Sequence, residues 1–162
     1  MFFYPDLMVD KITNINGGIL SGLGVKNILL DIDDTISPND GTAISSDTLN
    51  WVGMLKEKSY KIALISNNSE DRAEYFAKIL GTPYVYKAMK PLPFGINKCM
   101  RLISAKRDNT VLIGDQIFTD VVGARLCKIK SILVEPLNKE GGFFLKFKRL
   151  LEGRIRCSCR QR

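Results

Sequence analysis

Five short runs of Ile, Leu and Val, each stopped by polar residues and separated by longer amphipathic stretches, restrict this chain more than any other feature. They are KNILLDI (26–32), KIALIS (61–66), a brief one at PYVYK (83–87), TVLIGD (110–115) and SILVEP (131–136). Apolar runs of that length read as strands buried on both faces, and their alternation with helices predicts a parallel sheet with helices on both sides. The segments between carry helix boundaries. Ser45 or Ser46 can cap a helix bearing Leu49, Val52 and Leu55. Ser69 can cap the next, where Ala73, Phe76, Ala77 and Leu80 follow helical spacing until Gly81 stops it. Further helices are expected within 93–105 and 119–127.

Polar residues stand at the C-terminal ends of these strands: Asp31 and Asp33 after the first, Ser66, Asn67 and Asn68 after the second, Asp115 after the fourth. In open α/β sheets that edge is where ligands bind, so residues far apart in the chain are expected to converge. The first cluster, in NILLDIDDTISPND (27–40), is the most demanding. Asp31, Asp33 and Asp34 crowd three carboxylates onto the end of a buried strand, which costs stability unless a cation or a reaction uses them.

At 162 residues the chain fits one domain that buries roughly two thirds of its unfolded surface. The expected organisation is a single domain over 1–162. It has a core of about 25–136, an N-terminal segment 1–24 and a basic amphipathic C-terminal segment 139–162. No run reaches the length of a membrane span, and MFFYPDLMVDKITNI lacks the features of a signal peptide, so a cytoplasmic protein is expected. There is no histidine, which excludes Ser-His-Asp and Cys-His triads and His-ligated metal sites. Chemistry is left to carboxylates, hydroxyls and lysines. Cys99 and Cys127 read as buried thiols, and Cys157 with Cys159 falls short of a structural zinc ligand set. Of the net charge of +7, residues 139–162 carry +6, from eight Lys or Arg against two Glu. The basic character therefore belongs to one end and suits one polyanionic contact there.

A D-x-D after a strand is weak by itself, but here Asp31, Asp33 and Thr35 are followed by ISNN with Ser66, then KAMKP, then IGDQIFTD with Asp115 and Asp120. That ordered set resembles the haloacid dehalogenase (HAD) superfamily of aspartate-nucleophile phosphatases over about residues 25–136. The phrases YKAMKP, IGDQIFTD and EPLNKEGGFF narrow it to the compact subclass IIIA, YqeG-type, similar to the mitochondrial phosphatidylglycerophosphate phosphatase. The resemblance implies a three-layer, Rossmann-like sheet without a cap. It also implies a Mg²⁺-dependent phosphomonoesterase working through an aspartyl phosphate. Asp31 would be the nucleophile and Asp33 the general acid and base. Thr35, Ser66, Asn67, Asn68 and a lysine would hold phosphate. Of Lys87 and Lys90, the KP context favours Lys90. Mg²⁺ would be held by Asp31, the Asp33 carbonyl and Asp115, with Asp120 orienting Lys90 or a bound water. Asp34 stands where relatives often carry Asn and is expected beside the ligand set. Each residue has a plainer structural reading too: Ser66 as a turn residue, Lys90 as a solvated lysine, Thr119 or Asp120 as a helix cap.

Without room for a cap, the site is expected to be open, which by resemblance suits phosphate presented by something large. In GGFFLKFKRLLEGRIR, Phe143, Phe144, Phe147, Leu150, Leu151 and Ile155 share one side of a helical wheel, with Lys146, Lys148, Arg149 and Arg156 mostly elsewhere. Such a helix suits an anionic membrane, or packing on the sheet. The preferred expectation is hydrolysis of phosphatidylglycerophosphate by a cytoplasmic enzyme, peripheral at the inner face of the membrane. The alternatives are a phosphoprotein, a nucleic-acid end or a small ester as substrate, and a non-catalytic module binding RNA or membrane. The sequence does not specify an oligomeric state.

Overall fold

The computed structural model describes residues 3–138. The expectations for 139–162, including the amphipathic segment, Cys157 and Cys159, and for Met1 and Phe2, lie outside the described residues. Six parallel strands form one open sheet: β1 (Leu7–Val9), β2 (Asn27–Asp31), β3 (Lys61–Ile65), β4 (Tyr84–Val85), β5 (Thr110–Gly114) and β6 (Lys130–Val134), in the spatial order β1-β6-β5-β2-β3-β4. The helices are α1 (Gly17–Gly22), α2 (Ser46–Glu57), α3 (Glu70–Leu80), α4 (Pro93–Leu102) and α5 (Val122–Leu126).

Period-two alternation along the strands explains the three layers. Ile28, Leu30, Ile62, Leu64, Val111 and Ile113 point to one face, where Leu20, Trp51, Leu55, Phe76 and Leu80 of α1, α2 and α3 cover them. Leu29, Ala63, Ile65 and Leu112 point to the other, under Ile96, Cys99, Met100 and Ala124 of α4 and α5. Every residue of β2 is buried, as a strand covered on both faces requires. The free thiols of Cys99 and Cys127 lie within the second layer. No helix among the described residues is long and apolar enough to cross a membrane.

The five expected strands are present, each at or within a residue or two of its expected start. Two further elements, β1 and α1, lie in the N-terminal segment. β1 adds an edge strand parallel to β6, and α1 is capped by Asn16, whose Oδ1 accepts from Ile19 N at 2.9 Å. Trp51 Nε1 donates to the Ile15 carbonyl at 2.7 Å and ties this segment to α2. Of the two capping serines offered by the sequence, Ser45 caps α2 through its side chain. Ser69 occupies the expected cap position of α3, but its hydroxyl makes no capping hydrogen bond; its own amide donates to Asn68 Oδ1 at 2.8 Å. Gly81 ends α3 at φ 59°, a left-handed conformation that costs glycine little.

Candidate active site

Asp31 is the last residue of β2, where the strand order reverses, with β3 and β4 to one side and β5 and β6 to the other. Connections diverge at such a point and leave a crevice at the carboxyl edge. The segment after β4 enters it: Ala88 N donates to the Ser66 carbonyl at 3.0 Å and Lys87 N to the Asn68 carbonyl at 3.1 Å, anchoring the chain on the end of β3. Asn67 then clamps the Lys90 backbone on both sides, its Nδ2 donating to the Lys90 carbonyl at 3.0 Å and its Oδ1 accepting from Lys90 N at 2.7 Å. Lys90 is buried while Lys87 is exposed, which decides between them.

Lys90 Nζ donates to Asp31 Oδ1 and to Asp120 Oδ1, both at 2.6 Å. Asp115 joins them. One carboxylate oxygen each from Asp31, Asp115 and Asp120 lies within 4.8 Å of the others, and all three residues are buried. Asp120 is placed by two local features. It sits in a single π-helical turn, Ile117–Val121, where its Oδ2 accepts from Gln116 N at 3.0 Å, so neither of its oxygens is idle. It also lies directly over Gly114, where a methyl group would collide with the Asp120 carboxylate.

Among the described residues, three buried carboxylates thus share a single buried ammonium. Burial pushes Asp31 up to about 7, a rise that Lys90 restrains and that Asp120 and Asp33 add to. Burial also pushes Asp115 up to about 8, reinforced by Asp120, Asp31 and Asp34. Burial by itself would lower Lys90, but the attraction of Asp120 and Asp31 outweighs it and raises the ammonium above its ordinary value. The lysine stays charged, and the acids remain short of positive charge. Asp115 Oδ1 is buried without a hydrogen-bond partner among the described residues. An orphaned carboxylate oxygen beside two further acids, with oxygen donors only, fits a hard divalent cation.

A second cluster adjoins the first. Ser66 Oγ donates to Asp33 Oδ2 at 3.1 Å and accepts from Asn68 N at 2.9 Å. Arg72 Nε donates to Asp33 Oδ1 at 2.6 Å, while its other nitrogens donate to the carbonyls of Gly41 at 2.6 Å and Pro38 at 2.9 Å. The guanidinium lies 5.0 Å from the centre of the Phe76 ring, which fixes its plane. Asp34 adopts φ 55°, its Oδ1 accepting from Asn39 N at 3.1 Å and its carbonyl from Leu137 N at 2.8 Å. Thr35 is buried, and its Oγ1 has no partner among the described residues.

The residues singled out from sequence therefore collect at one sheet edge in two groups. Lys90 joins Asp31 to Asp120 beside Asp115, and Ser66 joins Asp33 to Asn68. Asn67 belongs to the first group through the Lys90 backbone. Arg72 is the residue that sequence reasoning missed. A signal existed: it is a cation in the first turn of α3, where the helix dipole disfavours one, so an acidic partner in front of the helix was called for.

A family model for haloacid dehalogenase-like hydrolases matches residues 18–127. The "Probable phosphatase YqeG" of Bacillus subtilis is 36% identical over 154 residues, covering 95% of this chain and 90% of that relative. Among solved structures, a hypothetical protein from Xanthomonas campestris superposes with a TM-score of 0.58 at 14% identity, over 78% of this chain and 72% of that one. The cobalt-bound deoxy-D-mannose-octulosonate 8-phosphate phosphatase of Haemophilus influenzae does so with 0.55 at 14% identity, over 69% of each chain. These two structures share the fold.

Proposed function

This chain belongs to the haloacid dehalogenase-like hydrolases, and from that membership we propose a Mg²⁺-dependent phosphatase that transfers the phosphoryl group of a monoester to Asp31 and then to water. The observation that carries the proposal is the Lys90 bracket. A fully buried ammonium is held 2.6 Å from Asp31 and 2.6 Å from Asp120, beside an Asp115 oxygen without a hydrogen-bond partner among the described residues. Such an arrangement is expensive for a scaffold and useful for stabilising the charge that builds up when phosphorus is transferred.

An oxygen of Asp31 attacks phosphorus, the P–O bond to the leaving group breaks, and the departing alkoxide takes a proton from Asp33. Asp33 then removes a proton from water as that water attacks the aspartyl phosphate. Inorganic phosphate leaves and the Asp31 carboxylate is restored. Lys90 keeps the nucleophile oriented and faces the transferred oxygens, and Asp120 holds Lys90. Ser66, Thr35 and the 67–68 backbone line the place for the phosphate, with the Ser66 hydroxyl turning from Asp33 to the substrate. Asp31, Asp115 and the Asp33 carbonyl would hold Mg²⁺. When bound, the ion offsets the repulsion among the acids and draws charge from the phosphate oxygens.

Phosphatidylglycerophosphate is the substrate this reading favours. Only α2 lies between β2 and β3 and only α3 between β3 and β4, so no inserted domain covers the mouth, and a phosphate fixed to a large body can reach it. The cationic residues of 139–162 complement an anionic lipid surface. The test is phosphate release, with Mg²⁺ and with chelator, from four substrates: phosphatidylglycerophosphate in mixed micelles, a phosphopeptide, a 5′-phosphorylated oligonucleotide and para-nitrophenyl phosphate. Preference for the lipid supports the assignment. Turnover of soluble esters with none of the lipid removes it, and no Mg²⁺-dependent release from any substrate removes the phosphatase reading.

A further inference from the structure

The connection that delivers Lys90 to the buried cluster also holds three large apolar side chains in water. Met89, Leu92 and Phe94 are 56%, 48% and 69% exposed, all within six residues. A turn closed by Leu92 N donating to the Met89 carbonyl at 2.8 Å presents them together, and Met89 reaches its place at φ 55°, a backbone region that side chains other than glycine rarely occupy. Two other segments that carry site residues do the same. Phe118, on the turn that carries Asp120, is half exposed with Phe3 packed edge-on at 5.9 Å, and exposed Leu137 is bound through its amide to the carbonyl of Asp34. Segments that place buried site residues therefore also turn apolar side chains outward. Large apolar side chains held in water beside a binding site point to a partner.

That partner has to satisfy two demands: an apolar contact at the rim and a phosphate in the crevice. A second protein copy lying flat on the rim would close the crevice that the substrate needs. An amphiphile surface satisfies both demands. Charge agrees with this. Lys87, exposed, lies in the same connection, and residues 139–162 carry eight Lys or Arg against two Glu. Cations beside an apolar edge suit an anionic bilayer.

We propose that the rim formed by Met89, Leu92 and Phe94 docks on an anionic lipid bilayer, with these side chains entering the boundary between headgroups and acyl chains and the crevice opening onto the headgroup layer. The proposal deepens the phosphatase reading and rests on it for what occupies the crevice.

The experiment compares the full chain with Met89→Asn, Leu92→Ser, Phe94→Ser, where Asn tolerates the positive φ at 89. The single Phe94→Ser variant serves as the milder change. Binding is read by co-sedimentation with vesicles of phosphatidylglycerol and phosphatidylcholine, oligomeric state by light scattering, and the integrity of the site by hydrolysis of para-nitrophenyl phosphate. The expected result is at least about a tenfold loss of vesicle partitioning in the triple variant and a smaller loss in the single one, with soluble-ester turnover and molar mass unchanged. Three results would overturn it: vesicle binding that the substitutions leave intact, a wild-type chain that binds no vesicles, or a rim whose substitution changes only self-association. Rim-dependent binding together with no turnover of phosphatidylglycerophosphate would keep the docking surface and reject the lipid substrate, so the two failures are distinguishable.

Discussion

Arg72 and Asp33 are joined at 2.6 Å across 39 residues of sequence, and the same guanidinium holds the carbonyls of Pro38 and Gly41. One side chain on α3 thus fixes both the carboxylate assigned to proton transfer and the loop that follows it. Arg72→Ala is expected to lower kcat on a soluble ester by roughly 10²-fold, the low end of what general acid and base catalysis contributes. Phosphorylated enzyme should accumulate, because the proposed breakdown step runs through Asp33. Arg72→Lys should recover little, since an ammonium cannot match the planar three-bond grip. Rapid-quench kinetics check this. A raised KM with unchanged kcat would reduce Arg72 to shaping the loop.

Gly114 holds open the space into which the Asp120 carboxylate fits, and a Cβ there meets Asp120 Cγ and Oδ2. Gly114→Ala should push Asp120 off Lys90 and cost about 1–3 kcal/mol of stability from overpacking. Mg²⁺ affinity or turnover should fall about 10- to 100-fold, as when groups that orient ligands are disturbed. Titration of Mg²⁺ against activity, beside thermal melts, separates the two effects.

The raised Asp115 gives a pH signature in the metal-free protein. A carboxyl whose folded value is raised contributes its full stability below its ordinary 3.8, and loses it as pH rises through the folded value, about 8. Asp115→Asn carries no such charge. In chelator, the Tm of Asp115→Asn relative to wild type should therefore climb between roughly pH 4 and pH 8 and level off above, and Mg²⁺ should close the gap by stabilising the wild type alone. A difference that is flat with pH would contradict the burial of a charged Asp115.

Legibility in the sequence followed the physics of each feature. β2, β3, β5 and β6 were readable because a strand buried on both faces must be apolar throughout, and Asp31, Ser66 and Asp115 because polar residues that end such strands stand out. β1 was not readable. Its three residues, one of them the exposed Met8, are too few to show a period. The π-helical turn that seats Asp120 was hidden because one extra residue in a turn leaves no mark on composition. The Arg72 grip was legible only in part: a cation in the first turn of α3 calls for an acid, but its partners lie 31 to 39 residues away. Ser69 holds the cap position that its residue type indicates, although its hydroxyl makes no capping bond there.

The central claim is that Asp31 carries the phosphoryl group. Enzyme turning over a ³²P-labelled monoester with Mg²⁺ should be acid-quenched and mapped by mass spectrometry, with Asp31→Asn run in parallel. The account predicts acid-stable, hydroxylamine-labile label on Asp31 in the wild type, and neither label nor turnover in the folded variant. Label on another residue, or wild-type turnover by Asp31→Asn, would contradict it.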